Sequence, residues 1–429
     1  MRKGIIYTIL TLMLVCSCGE DRTYEYLELT QENQWIYSCM KDNYLWNDSI
    51  LTPKRQDFFA AGNKFFSSLL QKQDRFSHFN DSARNTSYGI NYTLMRDPLG
   101  KQGRNYYALV RFVEPGSPAA LAGLKRGDWI SKIGRSNLST SNMAIIERGA
   151  ATTIYTSRIV LDEEKMEHIW QAADTIQIES ATELSPTGIY LDTIYTQRNS
   201  RIGYIVCNRF TEESVDKMTS IAERFRQQQT TDLIIDLRYN SGGSLGAAGK
   251  VASMLVPSEN DGRTFCTLAY NSLNSHNDTL YTYSTTNTLA LKKAYIICGA
   301  DTRGAAEVFM DAMRNALGYN NVTIVGETTY GEDVATEKFE WAYNLSISPA
   351  VAYICNAEGE RTLLYGITPG YTINEFADIY KIYALGNKQE YMLYNTLYHI
   401  ATGTFPQETA KTATATLQHS TVHLKSIEK

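Results

Sequence analysis

Residues 295–309 (YIICGADTRGAAEVF) constrain the chain most, because the hydrophobic pattern changes period within one short stretch. YIIC at 295–298 is the apolar, β-rich run expected of a buried strand. Residues 299–304 break it, and AAEVFM at 305–310 opens a helical pattern that continues to about Leu317. A strand, a tight turn and a helix start form a common mount for a nucleophile. The turn lifts a side chain above the sheet edge, and the helix start supplies free N–H groups and the positive end of its dipole. Glu307 stands three residues after Gly304, the capping-box spacing, so Ser or Thr is expected at position 304. The residue there is glycine, which has no side chain to offer.

The alternation recurs upstream. Residues 201–210 read as a strand, 212–228 as a helix and 232–237 as an apolar strand. That strand runs into RYNSGG at 238–243, with a helix from about Leu245 to Leu255. Such alternation predicts an α/β sheet with parallel pairs. Loops at the carboxyl ends of these strands are the usual place for chemistry, and both the Asn-Ser-Gly-Gly turn and the 302–304 turn fall there. Further on, 322–326 reads as a strand, 339–353 as β-like and 391–400 as a closing helix. The unit spans 176–402, and the Thr/Ala-rich 403–429 reads as a flexible tail.

Two further regions precede it, which suits a chain of 429 residues. Residues 22–80 read as helical: Trp35, Ile36, Met40 and Tyr44, then Phe58, Phe65, Phe66 and Leu69, recur near helical spacing as a core stripe. Residues 84–170 form a module whose sharpest part is VEPGSPAALAGLKRGDWISKIG at 113–134. It reads as a turn, a short helix, a second turn and an alternating strand. The fold class is therefore α/β within a multi-domain α+β chain.

Residues 232–243 (DLIIDLRYNSGG), 295–309 and 324–333 (IVGETTYGED) together resemble the core of the C-terminal processing, or tail-specific, serine peptidases. The WIYSCMKDNYLWND stretch at 35–48 resembles their opening segment, and 84–170 resembles their PDZ domain. The resemblance implies a ClpP/crotonase-like α/β core. It also implies that Gly304 takes the place of the nucleophilic serine and Glu332 that of the lysine base. Oxyanion donors would be the amides of Gly242 or Gly243 with that of Ala305. In the PDZ groove, which takes an extended peptide as an added strand, Gly89, Ile90, Asn91 and Tyr92 would hold a terminal carboxylate. A pair of glycines is equally explained as a turn needing positive φ, and a PDZ fold can serve as a spacer.

The N-terminus adds an address. Arg2 and Lys3 precede an apolar run, 4–15, too short to span a bilayer comfortably, ending in LVCSC. This resembles a bacterial lipoprotein signal, residues 1–18, with Cys18 acylated. Gly19, Glu20 and Asp21 resemble a surface-export signal of Gram-negative lipoproteins. The expectation is an outer-membrane lipoprotein of the cell envelope, held to the membrane by lipid. The other cysteines show neither CxxC nor His pairing, and no metal or cofactor is expected. A net charge of −5 without a basic patch argues against nucleic acid.

A Ser–Lys dyad works because a lysine made neutral by burial takes the serine proton. Removing a serine protease's nucleophile alone lowers its rate about a million-fold. The expectation is a pseudopeptidase that binds peptide or protein C-termini. The alternative is a serine-type hydrolase with a shifted group: Thr302, which also fits a turn-stabilising hydroxyl, or Glu332 activating water with help from Glu307.

Overall fold

Short β-branched runs separated by glycine turns place six strands side by side in the central sheet. The computed structural model describes residues 23–80, 86–101, 105–197, 200–286, 288–341 and 345–406, with backbone alone at 23–25 and 417–420. The expected signal segment 1–18 with Cys18, and most of the 403–429 tail, lie outside the described residues.

The chain opens with helices α1 (Thr23–Asn43) and α2 (Gly62–Leu69). The aromatic stripe of these helices is core. Ile36, Met40, Tyr44, Phe65, Phe66 and Leu69 pack with Val334, Ile347 and Ala350 from far along the chain. A sheet module follows: β1 (Ile90–Arg96), β2 (Tyr106–Val113), β3 (Trp129–Ile133), β4 (Thr152–Asp162) and β5 (Glu167–Ile178), all antiparallel neighbours in that order. The short helix Pro118–Leu121 is capped by the Ser117 side chain, which accepts from the Ala120 amide.

The large unit contains β6 (Ile189–Gln197), β7 (Ser200–Cys207), α3 (Glu212–Gln227), β8 (Asp232–Asp236) and α4 (Leu245–Leu255). It continues with β9 (Ala294–Cys298), α5 (Ala305–Leu317), β10 (Val322–Gly326), β11 (Tyr371–Thr372) and α6 (Tyr391–Thr402). The strands stand in the order β6 to β11. β6 is antiparallel to β7, and the rest are parallel. Both faces are covered, which is why these strands read as continuous apolar runs. Ile235, Ile296 and Ile324 face α3, α4 and α5, while Ile234, Ile297 and Val325 face Met392, Leu393 and Leu397 of α6. The mixed α/β class expected from the sequence is the class observed.

One element departs from the sequence reading. Within the tail, residues Leu417–Ser420 form a strand antiparallel to β1, with Ser420 opposite Tyr92 and Leu417 opposite Met95. The stretch carries no hydrophobic alternation, and an edge strand seeking backbone partners needs none.

Candidate functional site

The turn between β9 and α5 is tied to the end of β8 before any side chain at position 304 matters. Thr302 is fully buried; its hydroxyl accepts from the Gly299 amide at 2.9 Å and donates to the Leu237 carbonyl at 2.8 Å. The Arg303 amide donates to the Asn240 carbonyl at 3.1 Å, joining this turn to the Asn-Ser-Gly-Gly turn. Gly304 then takes φ 58° and ψ −120°, a conformation that residues with a Cβ adopt only under strain.

Glu307 organises what surrounds it. Its Oε2 accepts from the Gly304 amide at 3.0 Å and the Glu332 amide at 2.9 Å. Its Oε1 accepts from the Thr329 hydroxyl at 2.5 Å and the Gly331 amide at 2.8 Å. Burial pushes this carboxyl up, and the four donors oppose the shift. The capping-box spacing thus closes through its Glu half, and the same carboxylate holds the 329–332 loop.

Glu332, delivered by that loop, is buried. Burial and the neighbouring Glu307 raise its carboxyl to about 7, against the pull of Arg303, Arg209 and Arg75. Arg303 Nε lies 4.0 Å from Glu332 Oε2. Arg75 reaches in from the N-terminal region and donates to the Gly331 carbonyl at 3.1 Å. Tyr330 stacks under Arg75 and Arg303, at 5.3 and 5.6 Å from ring centre to guanidinium. The candidate positions 304 and 332 are therefore brought together, with an arginine between them that the sequence reading passed over. Its place directly before Gly304 was the available signal.

Of the three candidate oxyanion donors, Gly242 turns its amide onto Asn240 Oδ1 at 2.9 Å. The amides of Gly243 and Ala305 have no acceptor among the described residues. Gly243 is held at φ 114°, and a Cβ there would lie 2.1 Å from the Phe210 carbonyl oxygen, so only glycine fits.

In the sheet module, Gly89 ends the loop with φ 81°, and its amide donates to the Ser87 hydroxyl at 2.9 Å. Ile90, Asn91 and Tyr92 belong to β1 rather than to the loop. Asn91 Oδ1 accepts from Arg111 at 2.6 Å, and the Tyr92 hydroxyl reaches the Met143 carbonyl at 3.4 Å. Arg126 anchors the module to the large unit. It donates to the Tyr383 carbonyl at 2.8 Å, the Tyr239 hydroxyl at 2.6 Å and Glu375 at 2.6 Å. Arg238 meets Asp236 and Glu390, both at 2.7 Å, in the same buried cluster. Burial pushes the Glu375 carboxyl up, but Arg126 and Arg238 hold it down at about 2. Among the described residues no group of three or more His, Cys, Asp or Glu side chains could hold a metal ion.

The model of Peptidase family S41 matches residues 201–373, and that of the Peptidase S41 N-terminal domain matches 31–78. The chain belongs to peptidase family S41. This S41 chain is 22% identical over 303 residues to the carboxy-terminal processing protease CtpA of Bacillus subtilis, covering 69% of this chain and 60% of that protein. It is 23% identical over 350 residues to a probable CtpA-like serine protease of Staphylococcus aureus, covering 79% of this chain and 64% of the relative. The matched region thus spans less than two thirds of these relatives. A solved structure from Bacteroides fragilis assigned to the S41 proteases superposes with a TM-score of 0.75 at 25% identity, covering 86% of this chain and 97% of that one.

Proposed function

We propose that this S41 chain is a lipid-anchored envelope protein that binds peptide or protein C-termini and does not hydrolyse them. The observation that carries the reading is the pairing of a side-chain-free residue at 304 with a carboxylate at 332 facing Arg303. A serine at 304 and a neutral amine at 332 would form the dyad. Glycine has no attacking atom, and an arginine beside position 332 stabilises a carboxylate there. The rest of the turn is assembled, including the two unpaired amides of Gly243 and Ala305, which suits binding a carbonyl or carboxylate group. The module is read as a PDZ domain: a peptide would add along β1, which is entered through the positive-φ loop at Gly89 and whose outer side the tail strand Leu417–Ser420 occupies. Lipidation at Cys18 and outer-membrane residence rest on the LVCSC signal pattern.

One observation favours the alternative hydrolase. A carboxyl raised to about 7 is well matched to act as a general base near neutral pH, so Glu332 could activate water. Thr302 has no such support, because its hydroxyl is buried and engaged on both sides.

The test is turnover of an unfolded protein and of peptides with apolar C-termini by the chain from Glu20 onward. The repair variant Gly304→Ser, Glu332→Lys is assayed beside it with Arg303 kept, because a neighbouring positive charge favours the neutral form of a lysine. No turnover by the natural chain, with peptide binding retained, supports the proposal. Turnover abolished by Glu332→Gln overturns it in favour of the hydrolase. For the anchor, Cys18→Ala is expected to release the protein from membranes; retention there defeats the lipoprotein reading.

A further inference from the structure

Between the sheet module and the large unit lies a cavity of about 40 Å³, lined on one side by Gly89, Ile90 and Phe112 and on the other by Asn208, Tyr239 and Ser241. Its walls are mainly apolar, and its charged groups already have partners. Asp301 pairs with Arg111 at 2.5 Å, and Glu114 accepts from the Thr187 amide at 2.5 Å. Nothing in that arrangement calls for an ion.

Asn208 is different. It follows β7 directly, and its backbone is fixed at both ends: the amide donates to the Gly188 carbonyl at 2.8 Å, and the carbonyl accepts from the Ser241 amide at 3.3 Å. The residue is 6% exposed, yet neither Oδ1 nor Nδ2 has a hydrogen-bond partner. A buried amide with both ends unpaired is costly, and such groups in folded proteins call for an explanation. Asparagine offers one acceptor and a donor side by side. A peptide unit, with its N–H and C=O, is the neutral complement of that pair.

We propose that Asn208 is a peptide-positioning residue. Its carboxamide pairs with one backbone unit of an extended ligand lying between the module and the large unit, and the small cavity admits a methyl-sized side chain beside it. The Ser241 contact places this residue at the Asn-Ser-Gly-Gly turn, so a peptide held there is led toward the free amides of Gly243 and Ala305. The inference rests on the peptide-binding reading above and adds to it the residue and the chemistry by which the main chain is gripped.

The experiment uses the lipid-free chain from Glu20 to Lys429 and a pool of randomised decapeptides with free C-termini, with the captured fraction read by mass spectrometry. Asn208→Leu is close in size and removes both unpaired atoms. Its melting temperature is expected to equal or exceed that of the natural chain, while capture falls at least tenfold and alanine or glycine enrichment at one ligand position disappears. Equal capture by Asn208→Leu overturns the inference and leaves the peptide-binding reading standing. No capture by the natural chain overturns both. Because the variant could lose stability, the side-chain NH2 resonance of Asn208 in asparagine-labelled natural protein supplies an independent readout. It is expected to shift on adding the pool, and its failure to move while peptide binds also defeats the proposal.

Discussion

The backbone amides of Gly304 and Glu332 converge on a single oxygen, Glu307 Oε2, at 3.0 and 2.9 Å. Neither bond involves the side chain at 304 or 332. The turn and the loop are therefore positioned relative to each other by main-chain donors and one glutamate, whatever chemistry the two positions carry. Substitution at 332 can alter reactivity while leaving these main-chain bonds in place, whereas a serine at 304 must take on the strained backbone of the turn, so the repair variant is read together with its melting temperature.

Glu307→Gln should be strongly destabilising. It places an NH2 group against two N–H donors and leaves at least one of them buried and unsatisfied. The expected loss is roughly 3 kcal/mol or more, read from the urea midpoint. A loss below about 1 kcal/mol would show that the carboxylate is not what holds the 329–332 loop.

Glu332 gives a pH signature with a definite sign. Its folded carboxyl is raised from 4.5 to about 7, so the folded state holds a proton that the unfolded chain releases between those values. The resulting stabilisation is complete below pH 4.5 and is lost as pH rises through 7, on the order of 3 kcal/mol in all. Glu327, also raised to about 7, adds a slope of the same sign that survives in the variant. The prediction therefore concerns a difference: between pH 5 and 8, natural protein loses more stability than Glu332→Gln. Parallel curves would contradict it.

Arg126→Met should loosen the module from the large unit. The change removes one of two guanidinium partners of buried Glu375, leaving Arg238 at 3.2 Å. Breaking a buried ion cluster in this way typically costs about 3–5 kcal/mol. Limited proteolysis should cut the variant between the module and β6 sooner than the natural chain. Unchanged cleavage would mean that the apolar contact of Met95, Leu109 and Trp129 with Phe376 and Ile379 suffices alone.

The tail strand lies along β1, where an added peptide strand would pair under the proposed PDZ reading. A chain ending at Pro406 should show faster hydrogen exchange across Tyr92–Met95, by tenfold or more at the amides that face Leu417–Ser420. It should also capture added peptides more readily, because no strand must be displaced. Identical exchange in the two chains would remove the tail from the account of ligand access.

The strand–turn–helix at 295–317, the Asn-Ser-Gly-Gly turn and the identities of residues 304 and 332 are legible in the sequence because each depends on local periodicity or on a single residue. Thr302 illustrates the boundary. A turn-stabilising hydroxyl is a reasonable expectation from its neighbours, but its acceptor, the Leu237 carbonyl, lies just past the end of β8, far back along the chain. Positions 90 and 92 illustrate it from the other side: the turn at Gly89 is visible locally, whereas the point at which β1 begins is set by pairing with Val113 and Val110.

The sequence by itself determined the mixed α/β class, since strands buried on both faces and amphipathic helices are written in the spacing of apolar residues. It also determined which side chains positions 304 and 332 could bring. Only the tertiary structure decided their surroundings. Arg126 meets Glu375 and Glu390, Arg75 meets Gly331, and Arg303 meets Glu332, across separations that no periodicity encodes. Asn208 is an ordinary residue in the chain and an unpaired amide in the fold, because burial and partner geometry arise only when distant segments close around it.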